Sequence, residues 1–301
     1  MPMADKIAQS GRAPACPGPD PNPRGPTRFH VPAGAVDTHA HVIGEPPAHP
    51  FVAERSYTPP AATAESYLRM LDAAGITRGV LVQVSVHGRD NRLMVETLQS
   101  DPRRLRGIAV VGPDTTDGEL EYLASAGVRG CRFNVLFGGG TSLDDLERLS
   151  ARVSGLGWHV QLLVDARALP ELGPRLLKLP VEVVFDHMGH VPARAGTNHP
   201  GFLWLQRLLK EERAWVKLSG AYRVTTSGAP YHDTIPFAQA LIEAAPDRCV
   251  WGSDWPHVAV WEPMPNVGDL LDLLPLWAPD ESVRHDILVR NPERLYGFGA
   301  S

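Results

Sequence analysis

Six stretches of this 301-residue chain end otherwise apolar runs in side chains that do chemistry. They are Asp37-Thr38-His39-Ala40-His41, Gln83-Val84-Ser85-Val86-His87, Arg132-Phe133-Asn134, Asp186-His187-Met188-Gly189-His190, Lys217 to Arg223, and Gly252-Ser253-Asp254-Trp255-Pro256-His257. On a strand, residues i and i+2 share a face. His39 and His41 therefore point the same way, with Asp37 expected deeper on that side. Two imidazoles on one buried strand are costly unless used. Joined by His187 and Asp254, they can bind a divalent metal. Alternatively they polarise a carbonyl while Asp254 acts as a base on water. Both readings stay open at this level. His30, His49, His159, His199 and His285 read as ordinary core or surface histidines, and Lys217 as a residue lining the interior.

These tips need elements that bring them together. From residue 35 apolar runs alternate with stretches of helical periodicity. The runs cover 35–44, 79–87, 105–112, 128–137, 158–166, 181–190, 214–223 and 249–257. Helices are expected near 63–74, 91–100, 117–126, 142–155, 167–177, 201–212, 233–245 and 266–296. Most runs are continuously apolar, as in strands covered on both faces of a parallel sheet. Eight such units over 35–296 match a (β/α)8 TIM barrel, where strand ends converge on one face. A doubly wound sheet would more often show a glycine-rich turn after its first strand. Asp37-Thr-His-Ala-His stands there instead. Thr116-x-x-Glu119 and Ser142-x-x-Asp145 read as capping boxes or near relatives of one. Asn291-Pro292 reads as a cap before a first-turn proline.

Composition narrows the class. At 43% hydrophobic and 21% charged residues, the chain reads as a soluble globular protein. It has no apolar run long enough to span a membrane. Net charge is -5, without a basic face for nucleic acid or a membrane surface. Cys16, Cys131 and Cys249 form no CxxC pair, which favours a reducing compartment. Thirteen of the 29 prolines lie in residues 1–60. Eight of them give residues 1–34 the character of a Pro-rich N-terminal arm, polyproline-like or disordered, lying on the surface of a single domain at 35–301. The other five stiffen a long loop after the first strand, beside His39 and His41. That loop is expected to form a rigid rim.

The His39-x-His41, Asp186-His187-Met188-Gly189 and Gly252-Ser-Asp254-Trp-Pro-His257 motifs resemble the amidohydrolase superfamily, in its amidohydrolase-2 branch. Arg55-Ser-Tyr-Thr-Pro, Gln83-x-Ser85-x-His87-Gly88-x-Asp90-Asn91 and Gly130-x-Arg132-Phe133-Asn134 narrow the resemblance to the branch's lactonase group, which opens pyrone-, muconolactone- and sugar-derived lactones. The resemblance spans roughly residues 35–298. It implies a hydrolase that opens the lactone ring of a small carboxylate-bearing intermediate in aromatic-compound catabolism. Asp254 would deprotonate water and return the proton to the ring oxygen. His39, His41 and His187 would polarise the carbonyl. Arg132 and Arg223 would hold a carboxylate, and Ser85, His87, His190, Tyr222 and His257 would add substrate contacts.

The chain departs from the dicarboxylate pattern. It lacks a second Arg after Arg132-Phe133-Asn134, where Val135-Leu136-Phe137-Gly138-Gly139-Gly140 stands. This implies a less charged, bulkier or more apolar lactone. Metal-dependent relatives usually carry a Lys or Glu on the fourth strand. Arg132 would instead repel a dication, so no cofactor is required on this reading. The alternative is one Zn2+ on His39, His41, His187 and Asp254. With it comes one alternative activity, a zinc-dependent decarboxylase or hydratase of an aromatic or unsaturated acid; a lactone isomerase is a separate alternative. The expected partner is the small-molecule lactone, without nucleic acid or membrane. A homo-oligomer is compatible with this, and the expected location is cytoplasmic.

Overall fold

Each of the eight apolar runs forms a short parallel strand. The computed structural model describes residues 13–261 and 263–299. The strands are β1 (Val36–Ala40), β2 (Arg78–Val82), β3 (Leu105–Ala109), β4 (Val128–Asn134), β5 (His159–Leu163), β6 (Val183–Phe185), β7 (Ala214–Leu218) and β8 (Cys249–Trp251). They pair in chain order from β1 to β8. Beyond the ladder, β1 meets the β8 end through Asp254 N–H to the His39 carbonyl and His41 N–H to the Trp255 carbonyl, each 2.8 Å. The result is a nearly closed TIM barrel, as the alternation of runs and helices implies.

Helices cover the outside: α1 (Ala64–Ala74), α2 (Arg92–Ser100), α3 (Asp117–Ser125), α4 (Leu146–Ser154), α5 (Leu169–Leu176), α6 (Pro200–Lys210), the short α7 (Ala221–Val224) and α8 (Ile235–Ala244). Their apolar faces meet the outer face of the sheet in one large core. Inside the barrel the packing is smaller. Val36, Val80, Val82 and Ile108 close on Tyr296 and Phe298, and Val184, Trp215 and Val250 pack with Leu295. Among the described residues, no helix is long and apolar enough to cross a membrane.

Local signals fared differently. Thr116 and Glu119 form a full capping box on α3. Ser142 accepts only from the Asp144 N–H, one residue short of a box. Asn291 is no cap: it lies inside the helix Asn291–Tyr296, and its amide donates to the Pro246 and Cys249 carbonyls. That ties the chain end to β8. The helix expected over 266–296 is broken into Val267–Leu271, Leu274–Trp277, Glu281–His285, a π turn and Asn291–Tyr296. Pro275 and Pro279 punctuate that stretch. The strands also stop earlier than the apolar runs. Ser85–His87 and His187–His190 are 3-10 turns, and Arg223 stands on α7.

Of the proline-rich arm, residues 1–12 lie outside the described residues. Residues 13–34 run against the loops that leave β1 and β8. Cys16 N–H bonds the Thr58 carbonyl and Trp261 Nε1 bonds the Ala15 carbonyl. Asp272 accepts from the backbone of Thr27 and Arg28. The long loop at 41–63 is pinched at its neck by paired Ile43 and Ala62 backbone bonds.

Candidate active site

Asp254 stands just past β8, in the left-handed region at φ 61°. His187 (φ 51°), His190 (φ 55°) and His257 (φ 62°) share that conformation. Non-glycine residues rarely adopt it, and strain of this kind clusters at functional sites. Two glycines allow the close approaches. A side chain on Gly252 would meet His39 Cβ at 2.7 Å, and one on Gly220 would meet His187 Nδ1 at 2.8 Å.

The imidazoles converge on Asp254. Its Oδ1 lies 3.8 Å from His39 Nε2 and 3.7 Å from His41 Nε2, and its Oδ2 lies 3.8 Å from His187 Nε2. The ring centroids of His39 and His187 are 4.7 Å apart. All four side chains are buried. The two carboxylate oxygens differ. Oδ2 accepts from Arg223 Nε at 2.5 Å and from the Tyr222 hydroxyl at 2.6 Å. Oδ1 is buried without a hydrogen-bond partner. One atom each from His39, His187 and Asp254 lies within 4.8 Å of the others, a spacing that suits a metal ion.

Electrostatics follow from burial and charge. Burial alone would raise the Asp254 carboxyl, but the Arg223 charge holds it well below the usual carboxylate range. Burial pushes His39 down to about 3 and His257 to about 4, and drives His187 and His41 down too. All four are neutral at pH 7. Tyr222 is pushed well above its usual value, first by burial and then, against Arg223, by the Asp254 charge. It stays a proton donor.

The remaining candidates divide. Arg223, Tyr222 and His257 join the centre, with His257 Nδ1 3.2 Å from the Tyr222 oxygen. His190 flanks it, its ring 6.2 Å from that of His187. Arg132 lies beneath, and its Nε and Nη2 both bond Asp186 Oδ2. His87 is engaged by the long loop. Its Nδ1 donates to the Pro50 carbonyl and its Nε2 accepts from Gly44 N–H, so both nitrogens anchor the long loop. Ser85 bonds the Tyr57 hydroxyl of the same loop.

An amidohydrolase family model matches residues 36–298. The chain belongs to the amidohydrolase family. This amidohydrolase is 41% identical to a 4-sulfomuconolactone hydrolase of Rhizobium radiobacter, over 96% of this chain and 98% of the relative. It is 40% identical to a 2-pyrone-4,6-dicarboxylate hydrolase of Comamonas testosteroni, over 91% and 93%. A ligand-free crystal structure of an Agrobacterium tumefaciens protein superposes with a TM-score of 0.83. The two are 31% identical, and the match covers 94% of this chain and all of that one.

Three residues of the amidohydrolase centre carry more than their sequence reading assigned. Asp186, Lys217 and Asp37 form its buried foundation. Asp37 does not lie beneath His39. A register shift between Asp37 and Ala40 separates their faces. Asp37 instead accepts from Tyr67 on α1 and from the N–H and hydroxyl of Ser253. It thus clasps the segment that carries Asp254.

Burial raises the Asp37 carboxyl to about 6. An unfolded Asp ionises near ~3.9. Between these values the unfolded chain loses its proton first, so this group's contribution to stability falls as pH rises from about 4 to about 6. Asp37→Asn is expected to remove that slope and to gain on the wild type across the window. Urea unfolding at pH 4.5 and 7.5 measures it. An unchanged stability difference at both pH values contradicts the raised Asp37.

Proposed function

We propose that this amidohydrolase hydrolyses a lactone that carries an anionic substituent. The observation behind it is the free, buried Oδ1 of Asp254 among three neutral imidazoles, in a chain about 40% identical to two lactone hydrolases. Water enters beside Oδ1. Asp254 takes its proton as the oxygen attacks the ring carbonyl. Imidazole hydrogen bonds take up the charge that develops on the carbonyl oxygen. The tetrahedral intermediate collapses with loss of the ring C–O bond, and Asp254 returns the proton to the departing oxygen. Arg223 Nη1 makes no hydrogen bond to a described residue and suits a carboxylate or sulfonate of the substrate. Arg132, spent on Asp186, acts from below rather than on substrate.

The donor spacing fits a dication, but the charge does not. Asp186 is already met by Arg132 and Lys217, and Asp254 by Arg223, with all three cations buried or nearly so. Lys217 also sits 3.4 Å from His39 Nδ1. A dication would face three fixed positive groups at low dielectric. The proposed reaction therefore runs on side chains alone.

A panel of pyrone, muconolactone and sugar lactones tests both statements in a pH-indicator assay with and without chelator. Acid release from at least one substrate, unchanged by chelator, is expected. No release sinks the lactone reading. Loss with chelator and recovery with zinc sinks the metal-free part alone. Product NMR separates hydrolysis from ring isomerisation, and bicarbonate release would mark a decarboxylase.

A further inference from the structure

Lys217 lies inside the barrel with no exposed surface. Its ammonium carries three hydrogens and accepts none. Three acceptors lie within hydrogen-bond reach of it: the Thr38 carbonyl at 2.7 Å, Gln161 Oε1 at 2.8 Å and His39 Nδ1 at 3.4 Å, with Asp186 Oδ1 farther off at 3.8 Å. Nδ1 of His39 therefore offers a lone pair, and in a neutral imidazole the proton then sits on Nε2. One competitor is close. Asp186 Oδ1 lies 3.2 Å from the same nitrogen, where it would favour a proton on Nδ1. Asp186 Oδ1 nevertheless has no hydrogen-bond partner. The charge of Asp186 is met instead by Arg132 on its other oxygen.

His41 has the opposite tautomer. Its Nδ1 is 2.7 Å from the Val82 carbonyl, which can only accept. The proton is on Nδ1, and Nε2 is bare.

We propose that Lys217 is a positioning residue that fixes His39 as the Nε2–H tautomer, so that His39 and His41 present one donor and one acceptor beside Asp254 Oδ1. The donor serves the carbonyl oxygen, and the acceptor takes a hydrogen of the attacking water. These roles rest on the lactone-opening reading, whereas the tautomer stands on the geometry alone. With its proton on Nε2, His39 presents no lone pair on the side that faces Asp254.

NMR of the 15N-histidine-labelled full chain reports which nitrogen holds the proton, with His39→Asn assigning the signal. A proton on Nε2 of His39 is expected, and a proton on Nδ1 overturns the proposal. Lys217→Met is expected to move the proton to Nδ1, toward Asp186. It should also lower kcat about 10²-fold while KM changes less than about twofold, as for loss of an oxyanion donor. A folded Lys217→Met whose His39 tautomer and kcat match the wild type also overturns it. If that variant does not fold, the wild-type spectrum decides. The spectrum needs no substrate, so failure here is distinct from failure of the lactone assay.

Discussion

Asp254→Asn is expected to lower kcat for lactone opening by about 10³-fold, within the range for loss of a general base. The amide keeps the shape of the carboxylate. It can still accept one bond from Arg223 or Tyr222, which both now donate to Oδ2. It cannot take a proton from water at Oδ1, where the carboxylate has no other partner. The change also strands the Arg223 guanidinium, which is almost fully buried. Some loss of stability is therefore expected beside the loss of rate. Circular dichroism and thermal unfolding separate the two. A folded Asp254→Asn that retains a tenth of wild-type kcat rules out Asp254 as the base.

Much of this centre can be read in the letters alone. Continuous apolar runs mark strands buried on both faces, so the eight strands and their order follow from spacing. His39, His41, His187 and Asp254 stand at run ends, and a barrel brings run ends to one face. The misreadings have a common cause. A run of apolar and polar letters does not show where the ladder stops. Ser85 and His87 continue the β2 pattern, yet they leave the sheet as a 3-10 turn and serve the loop. The left-handed backbone at His187, His190, Asp254 and His257 has no signature either, since none is glycine.

Partners distant in sequence are equally hidden. Arg132 looks like a free carboxylate ligand until Asp186, 54 residues on, is seen to hold it. Lys217 reads as barrel lining, because only the fold brings Thr38 and Gln161 to it. The signal that could have flagged it is chemical. A lysine in the middle of an apolar strand costs too much to bury without a purpose.

Asp186→Asn is the sharpest test of that foundation. Its carboxylate takes two bonds from Arg132 at 3.1 and 3.2 Å, with Lys217 Nζ 3.8 Å away. Burial alone would raise this carboxyl. The Arg132 and Lys217 charges hold it well below its usual value, so it is ionised throughout the working range. Its neutral replacement leaves Arg132 and Lys217 buried without their charge partner. Breaking a buried pair this way costs about 3–5 kcal/mol. With an unfolding entropy of about 2.1 cal/mol/K per residue, a chain this long should lose roughly 5–8 °C in Tm. Arg132→Met added to Asp186→Asn removes one of the stranded cations and should return part of that loss. The double-mutant cycle then gives a coupling energy between contacting residues, about 0.5–3 kcal/mol. A single variant within ~1 °C of the wild type would mean that solvent reaches the pair. The charge balance that disfavours a dication would then lose its basis, because the three cations repel a metal only while they are held dry around it.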